Sequence, residues 1–479
     1  MNYRLVIYLL GKVMMFLSLF LLLPCLVALI YSEWAGIFFL ATSVGCLVLG
    51  WLMSRKKPKN TGFYAREGFV VVALSWIMLS FFGAIPFWAS GEIPSIIDAL
   101  FEMVSGFTTT GASIVADVES LSKSILFWRS FSHWIGGMGV LVFMLAILPM
   151  ADGNNMHLLR AESSGTTVGK LVPKMKQTAI ILYGIYIGLT IIEFVCLAIS
   201  GMPVFDNICL TFGTAGTGGF GILGDSIASY SAAQQWIITV FMLLFGVNFS
   251  FYYLILLRKL GQAFKLEEVR WYFIIYLSAV AIIAVNIYNS IGNVSDTVRH
   301  AAFQVASVMT TTGYATIDYE CWPQIAIAVM TIVMFIGGCA GSTGGGIKVS
   351  RFVIGAKSAS RELKRLIHPQ GVKVSKMDGK LLADSTMRTV TVYFFIYILI
   401  FVGSALIVAL DNFDMETTFT SIVATLNNIG PGFGEVGPTD NFASFSILSK
   451  LVFIFDMLVG RLEIFPMLLL FMPSTWKNR

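Results

Sequence analysis

The sequence predicts an all-α polytopic membrane protein: four pseudo-symmetric helix–pore loop–helix repeats (M1–P–M2) around one pore, preceded by an N-terminal helix pair. Three observations predict it. The chain of 479 residues is 57% hydrophobic and 12% charged, whereas a soluble domain carries about 25% charged residues. Four short segments end in related small-residue turns, Thr108-Thr109-Thr110-Gly111, Ala215-Gly216-Thr217-Gly218, Thr310-Thr311-Thr312-Gly313 and Asn427-Asn428-Ile429-Gly430, whose last glycines lie 107, 95 and 117 residues apart. That spacing is the scale of a repeated supersecondary module. Finally, Lys and Arg collect in alternate loops, as they do on the inner side of a membrane protein.

Ten spans can be placed, at residues 5–31, 35–53, 68–89, 125–149, 178–200, 234–257, 271–290, 324–352, 388–410 and 447–471. The first is too long for the apolar region of a signal peptide and reads as a retained span. Shorter segments near 95–107, 204–215, 295–309 and 414–427 cannot cross the hydrocarbon core as helices, yet are too apolar for surface loops. They read as re-entrant pore helices. The units are then 1–60 for the helix pair and 61–170, 171–265, 266–380 and 381–479 for the four repeats.

Basic residues orient the chain. Arg55, Lys56, Lys57, Lys59 and Arg66 lie in one loop. His157, Arg160, Lys170, Lys174 and Lys176 lie in the next on the same side. Arg258, Lys259, Lys265 and Arg270 follow, then Lys357, Arg361, Lys364, Arg365, Lys373, Lys376 and Lys380. All four loops share one side, read as cytoplasmic, so both termini are inside and the re-entrant segments enter from outside. The basic stretch 355–387 reads either as a plain inner loop or as a docking surface for a cytosolic regulator. The net charge of +5 is a topology signal and points to no nucleic-acid partner. Cys25, Cys46, Cys196 and Cys209 sit in or beside apolar sequence and no CxxC pair occurs, so they read as core thiols.

The turns carry the functional argument. A dehydrated monovalent cation needs several oxygen ligands, and backbone carbonyls supply them without a trapping negative charge. Such carbonyl rows need backbone angles that glycine tolerates best. Candidate cation-binding residues are Thr109, Thr110, Gly111, Thr217, Gly218, Thr311, Thr312, Gly313, Asn428, Ile429 and Gly430. Each pore helix begins near an acid (Asp98, Asp206, Asp296, Glu416), which complements the positive end of the helix dipole. The opposite ends favour a cation.

Two further features stand out. Residues 337–346 hold six glycines in ten positions, each costing about 1 kcal/mol relative to Ala in a helix. Span eight should therefore unwind in mid-membrane, below the third turn. A loop of Gly337, Gly338, Gly341, Ser342, Thr343, Gly344, Gly345 and Gly346 there would obstruct permeation. A phosphate-binding P-loop is the competing reading, but Ile347 stands where Lys is required and no strand precedes it. Arg461, in the middle of the last span, needs water or a partner. On the pore axis it would repel cations or bind carbonyls of the broken helix; a salt bridge with Asp456 or Glu463 is the structural alternative. Glu193 in span five reads as a helix-pairing or ion-coupling group, and Glu102 as a support behind the first turn. Arg129 and His133 read as interfacial side chains near the start of span four.

Phe107-Thr-Thr-Thr-Gly111-Ala-Ser113, Thr217-Gly218-Gly219-Phe220, Thr310-Thr-Thr-Gly313-Tyr314 and Asn427-Asn-Ile-Gly430-Pro-Gly432 resemble the four filters of the Trk/Ktr/HKT superfamily of cation transporters. The extra helix pair, His133-Trp-Ile-Gly-Gly-Met-Gly139 and Gly460-Arg-Leu-Glu-Ile-Phe-Pro466 resemble its bacterial TrkH/TrkG branch. The resemblance implies potassium ion uptake across the cytoplasmic membrane. It implies a homodimer and a cytosolic regulatory ring of the TrkA type that carries the nucleotide, leaving no organic cofactor in this chain. It also implies that 337–346 is an intramembrane gating loop and that Arg461 sits at the constriction. The resemblance further implies that glycine at all four filter positions favours potassium over sodium. A sodium- or proton-coupled transporter with alternating access is the alternative. An enzyme is disfavoured, since no metal-ligand cluster or paired acidic motif appears.

Overall fold

The computed structural model describes residues 1–58, 65–139, 175–368 and 374–477. Lys59, His157, Arg160, Lys170, Lys174, Lys373, the end of the fourth span and the unit boundaries at 60 and 170 lie outside the described residues. Helices α1 (Tyr3–Tyr31) and α2 (Ala35–Ser54) form the N-terminal pair. Their backbones meet at Gly11 and Gly50, where a Cβ on Gly50 would lie 2.7 Å from Gly11 O. Small residues permit this approach between helices that lipid does not drive together. The pair also bonds unit one. Glu33, between the two helices, accepts the backbone N–H groups of Lys123 at 2.6 Å and Ser124 at 2.9 Å, capping the helix that begins there.

Four helix–short helix–turn–helix units follow. Unit one contains α3 (Ala65–Ala89), α4 (Ile96–Phe107) and α5 (Lys123–Gly137). Unit two contains α6 (Met175–Ile199), α7 (Val204–Gly216), α8 (Ala232–Gly246) and α9 (Phe249–Leu256). After the short α10 (Leu260–Ala263), unit three contains α11 (Glu267–Ile291), α12 (Val294–Met309), α13 (Gln324–Ile336) and α14 (Val349–Ile367). A two-stranded hairpin, Lys376–Met377 with Lys380–Leu381, leads to unit four: α15 (Asp384–Val408), α16 (Met415–Leu426), α17 (Ile447–Arg461) and α18 (Phe465–Phe471). The terminal helix α19 is Pro473–Trp476. The short helices α4, α7, α12 and α16 have 12, 13, 16 and 12 residues. At about 1.5 Å per residue they fall short of the ~30 Å hydrocarbon core.

Six helices among the described residues are long and apolar enough to cross a membrane, and the α8–α9 pair, bent by 90°, would make a seventh. Two expected continuous spans are therefore corrected. Span 234–257 breaks after Gly246, where Val247 is extended and Asn248 caps α9 through its side chain. Span 447–471 breaks at 462–464, where Glu463 and Ile464 have φ of 61° and 62°. Pro466 lies in the first turn of α18, a position that requires no N–H donor and that cannot continue a preceding helix.

Candidate functional site

The four short helices end alike. The second residue of each turn is left-handed: Thr109, Thr217, Thr311 and Asn428 have φ of 54°, 55°, 60° and 56°. Its N–H bonds the carbonyl three residues back (Gly106, Thr214, Val308, Thr425), and the next N–H bonds the carbonyl five back (Ser105, Gly213, Ser307, Ala424). This is the Schellman closure, which satisfies the last carbonyls of a helix. Glycine usually takes the left-handed position; β-branched threonine there is strained. The fourth residue, Gly111, Gly219, Gly313 or Gly430, has φ of 80°, 82°, 84° or 101°.

This geometry corrects the second turn by one residue. Gly219, not Gly218, is the counterpart of Gly111, Gly313 and Gly430. Gly218 matches Thr110, Thr312 and Ile429.

The turns form a closed ring. A Cβ on Gly111 would lie 2.0 Å from Gly218 O, one on Gly219 1.8 Å from Thr312 O, one on Gly313 2.2 Å from Ile429 O, and one on Gly430 2.7 Å from Thr110 O. Each glycine thus abuts the third-position carbonyl of the next turn, and the fourth closes onto the first. On one side the four glycines border a cavity of about 110 Å³.

On the other side lies the break of unit three. Gly345 N–H donates to Thr311 Oγ1 at 2.6 Å, and Gly346 N–H to Asn427 O at 2.9 Å. Gly337, Gly341 and Gly346 have φ of 76°, 74° and 75°, which confirms the unwinding between α13 and α14. The loop also docks on the break of unit two. Cys339 N–H bonds Gly246 O at 2.9 Å, and Phe249 N–H bonds Gly341 O at 3.0 Å. Two interrupted helices satisfy each other's backbone, as buried irregular segments must.

Glu268 was invisible as a site residue in the sequence, where an acid at a helix start needs no special role. It is buried, and its carboxylate accepts Ala340 N–H at 2.6 Å, inside the loop, and Ser350 N–H at 3.2 Å, in the first turn of α14. Lys348 Nζ donates to Gly344 O within the loop.

Arg461, at the end of α17, bonds Thr343 O at 2.8 Å and Gly137 O at 3.0 Å, and also Gly136 O. It therefore joins the broken loop to the end of α5. Glu463 pairs instead with Arg351, whose guanidinium lies 4.0 Å from the Tyr393 ring centroid, and Asp456 accepts Ser404 Oγ at 2.8 Å.

Arg129 and His133 are not interfacial, which corrects the reading of both; each is fully buried. Arg129 pairs with Glu102 at 2.7 Å and lies 4.2 Å from the Phe220 ring centroid. Its partner is 27 residues away in sequence, on a different helix. Glu193 is buried on α6, and neither carboxylate oxygen has a direct hydrogen bond assigned among the described residues. Among the described residues no group of three or more His, Cys, Asp or Glu could hold a metal.

Residues 37–478 match the family described as TrkH, cation transport protein. The chain is 39% identical over 493 residues to the Trk system potassium uptake protein TrkH of Salmonella typhimurium, with 100% of both covered. It is 33% identical over 483 residues to the Trk system potassium uptake protein TrkG of Escherichia coli, with 99% of both covered. The crystal structure of the potassium transporter TrkH from Vibrio parahaemolyticus matches with a TM-score of 0.88 and 34% identity, over 100% of both chains.

Proposed function

This chain belongs to the TrkH family of cation transport proteins, and we propose that its ring of four turns is the potassium filter. The protein takes up potassium across the bacterial inner membrane through a multi-pass all-α fold, and it is a transporter rather than an enzyme. The observation that carries the filter reading is the closed contact of Gly111, Gly219, Gly313 and Gly430 with the carbonyls of neighbouring turns. Backbone oxygens gathered on one axis replace the water lost by the ion, and no carboxylate holds it there. The strained left-handed residues are held from below by Schellman bonds, so the ligands are in place before the ion arrives. Thr110, Thr312 and Ile429 serve through their carbonyls, together with Gly218. The Thr110 hydroxyl is engaged by Asn428 Nδ2 at 2.9 Å and by Thr108 Oγ1 at 2.8 Å.

Beneath the filter, loop 337–346 and Arg461 form the gate in this proposal. The loop touches the underside of turns three and four, and the arginine pins it while placing positive charge near the path. A second copy of this chain and a cytosolic nucleotide-binding subunit of the TrkA type complete the assembly, with both termini and the basic segment 355–387 on the cytoplasmic side. The division into five units, 1–60, 61–170, 171–265, 266–380 and 381–479, is part of this proposal.

The test is potassium, rubidium and sodium flux in vesicles containing the purified chain, with and without imposed proton and sodium gradients. The proposal predicts that potassium and rubidium flow down their own gradients, with sodium strongly disfavoured. Sodium carried as readily as potassium would contradict the filter. Net potassium movement driven uphill by a sodium or proton gradient would favour coupled, alternating access.

A further inference from the structure

The segments that leave three of the turns are bonded by side chains of their own pore helices. Glu102 accepts Ser113 Oγ and Ile114 N–H, each at 3.0 Å. Ser307 Oγ donates to Tyr314 O at 2.6 Å and Gln304 Nε2 to Ile317 O at 3.2 Å. Thr420 Oγ1 donates to Phe433 O at 2.9 Å and accepts Phe433 N–H at 3.0 Å.

Helix α7 differs. Its Thr211 and Thr214 hydroxyls bond Asn207 Oδ1 and Leu210 O inside the helix, and its Asp206 accepts Tyr230 Oη at 3.1 Å only farther along, at the end of the segment. The segment after turn two is gripped instead by side chains of unit one. Phe220 N–H donates to His133 Nε2 at 3.2 Å, Gly221 O faces Arg129 Nη1 at 3.5 Å, and Gly224 N–H donates to Glu119 at 3.2 Å.

The histidine bond has a defined polarity. Nδ1 lies 2.8 Å from Gly106 O, which can only accept, so Nδ1 carries the proton. Nε2 faces an N–H and is unprotonated, so the imidazole is neutral. Gly106 O is also the carbonyl that accepts Thr109 N–H in the closure of turn one. One ring thus links the strained residue of turn one to the residue after Gly219. The ring also occupies the space a side chain would need at position 218, where an added Cβ would lie 2.2 Å from it. Turn two has Gly218-Gly219 and so has the least constrained backbone of the four.

We propose that His133 is a specificity-determining positioning residue: it sets the shape of turn two from across the unit boundary, with the Glu102-anchored Arg129 as a second strap. The inference rests on the filter reading above. His133→Leu removes both bonds at similar bulk, whereas His133→Gln can reproduce an acceptor toward Phe220 and a donor toward Gly106. The full chain in vesicles is assayed for the ratio of potassium to sodium flux, with thermal unfolding as a check on folding and Gly313→Ser as a reference variant.

The ratio is expected to fall about fivefold in His133→Leu, the scale of one lost net hydrogen bond, and to be largely restored in His133→Gln. If His133→Leu does not fold, Arg129→Lys carries the test. It keeps charge opposite Glu102 but loses the fork that reaches Ser113 and Gly221, and a reduced ratio is expected. A folded His133→Leu protein, or a folded Arg129→Lys protein in its place, with an unchanged ratio overturns the inference, provided Gly313→Ser lowers the ratio. If Gly313→Ser also leaves the ratio unchanged, the filter reading itself has failed.

Discussion

The ring of turns and the layer beneath it obey different rules. In the ring, one backbone conformation occurs four times although the residues differ: Thr, Thr, Thr and Asn at the left-handed position, Thr, Gly, Thr and Ile after it. Below the ring, the second long helices of units two, three and four break in different ways. Two residues separate α8 from α9, a twelve-residue glycine-rich loop separates α13 from α14, and three residues separate α17 from α18. The contrast is physical. An ion that sheds its water must be surrounded, so backbone geometry repeats about the axis. Obstruction needs one object on the path, and in the proposed function one loop and one arginine supply it.

The largest expected effect is in the ring. Gly111→Ser places a Cβ 2.0 Å from Gly218 O in a backbone with φ of 80°, so turn two must move. A change of about 1.4 kcal/mol in relative site energies alters selectivity tenfold. The potassium-to-sodium ratio should drop by at least that order, and an unchanged permeability ratio would break the proposed symmetry of function. Next is deletion within 341–346, which removes the proposed single-copy gate and should raise flux several-fold with selectivity retained. A folded but silent protein would show that the loop supports the ring instead of gating it.

Arg461→Ala comes third. It frees the bonds to Thr343 and Gly137 and removes positive charge beneath the ring, so conductance should rise at unchanged selectivity. Single-channel or flux measurements that show no change would remove the arginine from the path. The smallest effect on transport belongs to Gly50→Leu at the α1–α2 contact, where a Cβ meets Gly11 O at 2.7 Å. Overpacking of this kind costs typically 1–3 kcal/mol. Thermal stability should fall while the flux ratio stays constant, and a changed ratio would tie the N-terminal pair to the ring.

Much of the fold was legible because membranes impose simple rules. Apolar length separated the long helices from α4, α7, α12 and α16, and the glycines of 337–346 announced an unwound segment. The register of turn two was harder, because Gly218 and Gly219 are adjacent and either can end the motif. Aligning Thr217 with Thr109 and Thr311 would have resolved it. Pro466 carries the signal for the break at 462–464, but the apolar run continues through it and hides the interruption. The burial of Arg129 was not legible, since its partner Glu102 sits on another helix and only folding brings them together. Glu268 was masked by an ordinary role for acids at helix starts.

The account depends most on one ion seat made by all four turns. Anomalous diffraction from crystals grown in rubidium or thallium measures this directly. The account predicts an ion peak on the ring axis, ligated by backbone oxygens from each of the four turns and beside the cavity bordered by Gly111, Gly219, Gly313 and Gly430. A peak bound by one or two turns only, or held by a carboxylate elsewhere in the membrane region with none on the axis, would contradict it.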